Sequence, residues 1–166
     1  YDSPWRLDLT LDAQRIGIDE QYSVSETGVD YRLGLKPTLT YNTLDNPSMP
    51  HDGMKWTSSA EPVWVSGRTL GKVDTRFDYY KPMGERFTLH GGIQGGTILG
   101  DAPLYEKNNN AGLGRTLLGW DSDGSLVGSN YAIATAGVNA EIWGPVSATA
   151  RVTAGDFFDG TGVDPK

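Results

Sequence analysis

Hydrophobic and polar residues alternate with period two along almost the whole chain, and that pattern constrains the fold more than any other feature. Trp5, Leu7, Leu9, Leu11 and Ala13 share one face of a first segment, with Arg6, Asp8, Thr10, Asp12 and Gln14 on the other. Val29 to Tyr41 alternates with Asp30 to Asn42 in the same way, and Val73, Thr75, Phe77 and Tyr79 oppose Asp74, Arg76, Asp78 and Tyr80. Late in the chain an alanine ladder from Ala132 to Ala140 and a Val146-to-Ala154 run repeat the pattern. Met54 to Ser66 alternates poorly. Turn chemistry separates the runs: Asp45-Asn46-Pro47, Ser66-Gly67, Pro82-Met83-Gly84 and Trp143-Gly144-Pro145. No stretch carries a helical period. The expectation is an all-β, antiparallel meander of about eight strands forming a β-barrel.

Alternation does not say which face looks inward. A soluble barrel buries its apolar face, whereas a membrane barrel turns that face to lipid and keeps a polar lumen. Runs of ten residues or more match the roughly 9–11 that a tilted membrane strand needs. Aromatics at strand ends (Trp5, Tyr41, Trp56, Trp64, Tyr79, Tyr80, Trp143) suit interfacial girdles. The small residues of the alanine ladder fill a close-packed core poorly. These features favour a transmembrane barrel, with a soluble barrel binding an apolar ligand as the alternative.

Composition narrows the partners. A net charge of −7 argues against nucleic acid, which needs a basic face. The absence of cysteine removes disulfides, thiol catalysis and cysteine metal sites. No apolar run reaches the roughly 18–20 residues of a membrane helix. No signal peptide opens the chain, so Tyr1 reads as a mature or trimmed start. No metal site and no cofactor are expected. Asp121-Ser122-Asp123-Gly124-Ser125 lacks the bidentate acid of a calcium loop and reads as an acidic turn, and Lys107 to Asn110 as a solvated loop.

From about Tyr31 to Asp159 the order of motifs resembles the barrel of the Omp85 superfamily, the bacterial surface antigen barrels. YRLGLKPTLTYNTLDNPSMPHDGMKW is similar to that family's hairpin, with Asp45, Asn46, Pro47, Pro50 and Gly53 at its turn positions. KVDTRFDYYKPMGERFTLHGGIQGGTILG resembles its tyrosine-ending strand and glycine-rich return strand. LYEKNNNAGLGRTLLGW resembles its long loop, which folds back into the lumen, and GSNYAIATAGVNAEIWGPVSATARVTAGDFFD the next hairpin. The resemblance implies one domain over residues 1–166, either a barrel or a fragment of one, with residues 100–128 as the lumen loop. It further implies a bacterial outer-membrane location, a membrane-anchor or polypeptide translocation and assembly role, and contact with membrane lipid or lipopolysaccharide. A polypeptide cargo or a fused periplasmic domain is the other implied partner.

Polypeptide-handling members carry an Arg-Gly-aromatic loop tip whose arginine pairs with an aspartate on a later strand. Here the tip region is Gly114, Arg115, Leu118, Gly119 and Trp120, with Leu118 in the arginine's place and Thr153 in the aspartate's. Losing both partners together avoids an unpaired lumen charge. Arg115 and Asp156 lie close to those two positions and offer a shifted pair. This departure brings the chain nearer the barrels fused to patatin-like phospholipases, although no G-x-S-x-G elbow is present. His90 is a lumen hydrogen-bonding residue on this reading. A barrel-embedded lipid hydrolase, using His90 with Asp74, Asp78 or Ser147, is a third possibility, and no catalytic residue is assigned. The Gly160 to Lys166 ending has loop composition, so the chain is expected to be a barrel fragment or a closed eight-stranded barrel.

Overall fold

The computed structural model describes residues 3–109, 113, 117, 127–143 and 146–159. Seven long strands form one antiparallel sheet: β1 (Trp5–Gly17), β2 (Val29–Asn42), β3 (Gly53–Val65), β4 (Arg68–Met83), β5 (Phe87–Leu99), β8 (Asn130–Trp143) and β9 (Val146–Phe158). Between β5 and β8, the two-residue strands β6 (Asn108–Asn109) and β7 (Val127–Gly128) pair with each other as a separate ribbon. The order β1-β2-β3-β4-β5-β8-β9 is a meander, as the alternation requires.

The sheet is open. Among the described residues β1 and β9 pair only with β2 and β8, so an eight-stranded closed barrel is not what forms. Seven antiparallel strands leave β1 and β9 running in the same direction. Self-closure would therefore need a parallel seam in an otherwise antiparallel sheet.

Register carries the two faces across the sheet, with one shift at the end of the β8–β9 pair, between Glu141 and Trp143. One row reads Trp5, Tyr41, Trp56, Phe77, Ile93, Ala134, Ala154, each residue directly opposite the next. A polar row reads Asp78, Gly92, Thr135, Thr153. The β2–β3 ladder is interrupted between Gly34↔Val63 and Thr38↔Ser59, where Pro37 and Pro62 have no N–H to donate. Ser66 and Gly67 join β3 to β4 with φ of 42° and 96°, both left-handed, the geometry that a two-residue hairpin turn needs.

The weak alternation of β3 has a local cause. Its polar-face positions change character along the strand, from Ser59 and Glu61 to Val63 and Val65, all four of them buried. Val63 and Val65 join Leu70 and Ile98 in a small core that Val24, Ala102 and Tyr105 cover from the loops. A second core holds Tyr131, Ile133 and Phe157 with Leu117, and Leu113 beside it. Both cores lie on the polar face, beneath connecting segments. The continuous apolar face stays exposed: Leu7, Leu11, Ile93 and Val152 keep 72%, 71%, 63% and 73% of their surface.

Candidate functional site on the polar face

Three loops are fastened onto the polar face, each through side chains of the strands. After β5 the chain makes a single 3-10 turn, Leu104–Glu106, which aims Glu106 back at the sheet. The Arg32 guanidinium on β2 donates from Nε to Glu106 Oε1 at 2.9 Å and from Nη2 to Glu61 Oε1 at 2.5 Å. Its Nη1 pairs with Asp12 on β1. Lys72 Nζ on β4 reaches the other Glu106 oxygen at 2.5 Å. Side-chain exposure is 10% for Arg32, 11% for Glu61 and 5% for Glu106, so this is a buried network, with three carboxylates facing two cations. Gly34 makes room for it, since a Cβ there would stand 2.7 Å from Glu61 Oε1.

Asp30 fixes the neighbouring loop. Its fully buried carboxylate accepts the backbone N–H groups of Val24 (2.8 Å) and Ser25 (2.9 Å) and the hydroxyls of Ser23 (3.1 Å) and Tyr105 (2.6 Å). Burial, and then the hydrogen bond to ionised Asp30, push the Tyr105 phenol above its ordinary pKa. Lys107 binds Asp159 at 2.8 Å; that contact first, then Ser129, lowers the Asp159 carboxyl below the usual range.

At the other end of the sheet, the 43–52 loop is organised by Asp45, whose Oδ1 accepts N–H bonds from Asn46, His51 and Asp52 at 2.8, 3.0 and 3.2 Å. Those backbone bonds, His51 and Asp52 foremost, depress its pKa. A depressed folded-state value means that the turn's stabilisation is complete above the unfolded carboxyl value, about 3.9, and disappears as pH falls through the folded value. The His51 and Asp52 amides are therefore expected to keep their exchange protection at pH 5 and to lose it progressively in stronger acid, read by amide exchange. His51 also ties this loop to the sheet, with Nδ1 3.3 Å from Thr88 Oγ1 and Nε2 3.0 Å from Glu141.

Between these loops, Asp74 and Asp78 on β4 have separate partners. Tyr131 on β8 reaches across β5 to donate to Asp74 at 2.9 Å. Arg76 binds Asp78 from Nε and Nη2 at 2.6 and 3.1 Å, and His90 Nε2 lies 3.3 Å from the same carboxylate. His90 stacks on Tyr80, with ring centroids 4.5 Å apart. The reach of Tyr131 depends on Gly96, where a Cβ would come within 2.5 Å of both Asp74 Oδ1 and Tyr131 Cε1. Gly96→Ala is expected to cost about 1–3 kcal/mol in chemical denaturation. Gly91→Ala, with nothing within 4 Å of the added carbon, should be neutral or mildly stabilising.

His90 and Thr153 stand on the polar face as expected, and the Thr153 hydroxyl is 3.3 Å from that of Thr135. Asp156 does not. It lies opposite Ala132 on the apolar face, exposed, and accepts the Phe157 N–H, so it is corrected from the set of lumen partners. Gly114, Arg115, Leu118, Gly119 and Trp120 fall outside the described residues, as does Asp121 to Ser125. Tyr80 is also corrected: it faces His90 rather than joining an aromatic girdle. Trp5, Tyr41 and Trp56 do cluster at one end of the apolar face, with Trp5 centroids 4.7 Å from Tyr41 and 6.1 Å from Trp56.

Of the hydrolase arrangement only the His90–Asp78 pair assembles, without a nucleophile beside it among the described residues. Asp74 is engaged by Tyr131, and Ser147 sits opposite Glu141, four residues along β9 from Arg151, which shares a row with His90. At about 3.3 Å per residue that is roughly 13 Å along the strand, too far for proton transfer.

Arg32, Glu61, Lys72 and Glu106 were not singled out as a set by the sequence. Arg6–Asp8 and Arg76–Asp78 pair along their own strands rather than across them, while Asp30 turns to a loop. Glu106 carries no sequence signal, since it belongs to a loop.

The described residues form an open antiparallel meander of long amphipathic strands, apolar face exposed and loops packed on the polar face. The chain belongs to the Omp85 superfamily, whose domain model matches residues 3–163. Members of that superfamily are bacterial outer-membrane β-barrel proteins. No curated protein and no solved structure matches the chain significantly.

Proposed function

We propose that this chain is a membrane-spanning portion of an outer-membrane Omp85-type barrel, with its apolar face in lipid and its polar face lining a passage for polypeptide or the anchor of an attached domain. The carrying observation is the inversion of burial. Leu7, Leu9 and Leu11 on the apolar face are about 70% exposed, whereas Arg32, Glu61 and Glu106 on the other are nearly covered. In water that arrangement wastes apolar area worth about 25 cal/mol per Å². In a bilayer it is the stable one. The open edges at β1 and β9 support a part of a larger barrel, and antiparallel seams at both edges call for an odd number of further strands. On this reading residues 100–128 are the lumen loop, and Glu106 holds its described part, residues 100–109, to the polar face. The partners on this reading are membrane lipid or lipopolysaccharide outside and a polypeptide or fused periplasmic domain inside.

A second reading has one observation in its favour. A trough of about 1260 Å³ crosses the apolar face between Trp5, Trp56, Phe77 and Ile93 on one side and Ala132, Ala134 and Ala154 on the other. A soluble protein could hold an apolar ligand there. Reconstitution into vesicles of brominated and unbrominated phosphatidylcholine separates the two. The membrane reading expects flotation with the vesicles, resistance to alkaline extraction and quenching of tryptophan fluorescence by bromine. A monomer that stays in buffer without detergent and shows no quenching overturns it.

A further inference from the structure

A cavity of about 400 Å³ lies between the 43–52 loop and the polar face of β4, β5, β8 and β9, away from the Arg32 network. Its charge is unbalanced. Arg76, His90 and Arg151 line it, and Asp78 is the carboxylate that Arg76 and His90 face. Asp78 already accepts from Arg76 Nε and Nη2 and from His90, which leaves Arg76 Nη1 without an acceptor among the described residues. The Arg151 guanidinium has no ion pair or hydrogen bond there either. Thr149 spends its proton on Asn139 Oδ1 at 3.1 Å.

Donors therefore outnumber acceptors in a space larger than one small ion. A carboxylate has two oxygens and is satisfied by one guanidinium fork. Two guanidiniums on different strands suit a group that presents three oxygens in different directions. We propose that this cavity binds a phosphate group, held between Arg151 and Arg76, with room for a small organic substituent. The phosphate comes from the free ion or from a phosphorylated headgroup.

The test uses the chain folded in an uncharged detergent, its fold checked by far-ultraviolet circular dichroism, and titrated calorimetrically with inorganic phosphate, glycerol phosphate and acetate. Saturable binding of a phosphate at millimolar concentration or below is expected, with acetate at least ten-fold weaker. Arg151→Gln should weaken phosphate binding ten-fold or more. Lys36→Gln, on the polar face but outside the cavity, should leave it unchanged. Glycerol phosphate binding as well as the free ion points to a headgroup, and free phosphate alone to the ion; both support the site. Absence of saturable binding by the folded protein, equal affinity for acetate, or Arg151→Gln binding like the parent overturns it.

Discussion

Ile93→Arg is expected to destabilise the protein in phospholipid vesicles by about 2–4 kcal/mol, measured by urea unfolding, while the same change on a water-facing surface would stay within about 0.5 kcal/mol. Ile93 stands midway along β5, the middle of the range Phe87–Leu99, between Phe77 and Ala134 on the apolar face, and it is 63% exposed. It packs too little against its own chain for the cost to come from a lost core contact. A large effect in lipid must therefore come from placing a guanidinium in hydrocarbon. A neutral result, in a protein that needs no detergent, would end the membrane reading and leave the apolar trough as the feature to explain.

Arg32→Ala is expected to cost about 3–5 kcal/mol, because it leaves Asp12, Glu61 and Glu106 facing Lys72 alone in a buried site. The expected signature is specific to the loop. Protease should cut the 101–109 segment faster, since Glu106 loses one of its two anchors. Arg32→Ala with Glu106→Ala should cost less than the two single changes added together, by a coupling of about 0.5–3 kcal/mol. If the double variant shows simple additivity, Arg32 is not what holds the loop down. Tyr105, bonded to Asp30, is the second anchor and should keep part of the segment in place.

The two results would fail for different reasons. Ile93 tests the medium around the sheet and touches no loop. Arg32 tests how the loop is held and reaches no lipid. A protein that tolerates Ile93→Arg yet loosens at Arg32→Ala would be a soluble sheet with a latched loop.

Period two on Leu7–Leu11, Val29–Tyr41 and Ala132–Ala140 was enough to read antiparallel strands and to separate two faces, because side chains of a strand point alternately whatever surrounds them. The Asp45 turn was equally legible, since its three N–H bonds are made within seven residues. β3 was harder to read, because Val63 and Val65 obey a local core under a loop rather than the face they share with Glu61. Asp156 was misplaced by nearness in sequence to Thr153, although three residues along a strand reverses the face.

The linear order of residues thus determined strand direction, face membership and the superfamily, all of which depend on short-range spacing. Tertiary structure alone decided that Arg32, Glu61, Lys72 and Glu106 meet, since 74 residues separate the first from the last and the loop path brings them together. It also decided that the sheet stays open and that apolar side chains are left outside. Strand pairing and loop packing are long-range choices, and the alternation of a single strand is the same whichever way the sheet curls.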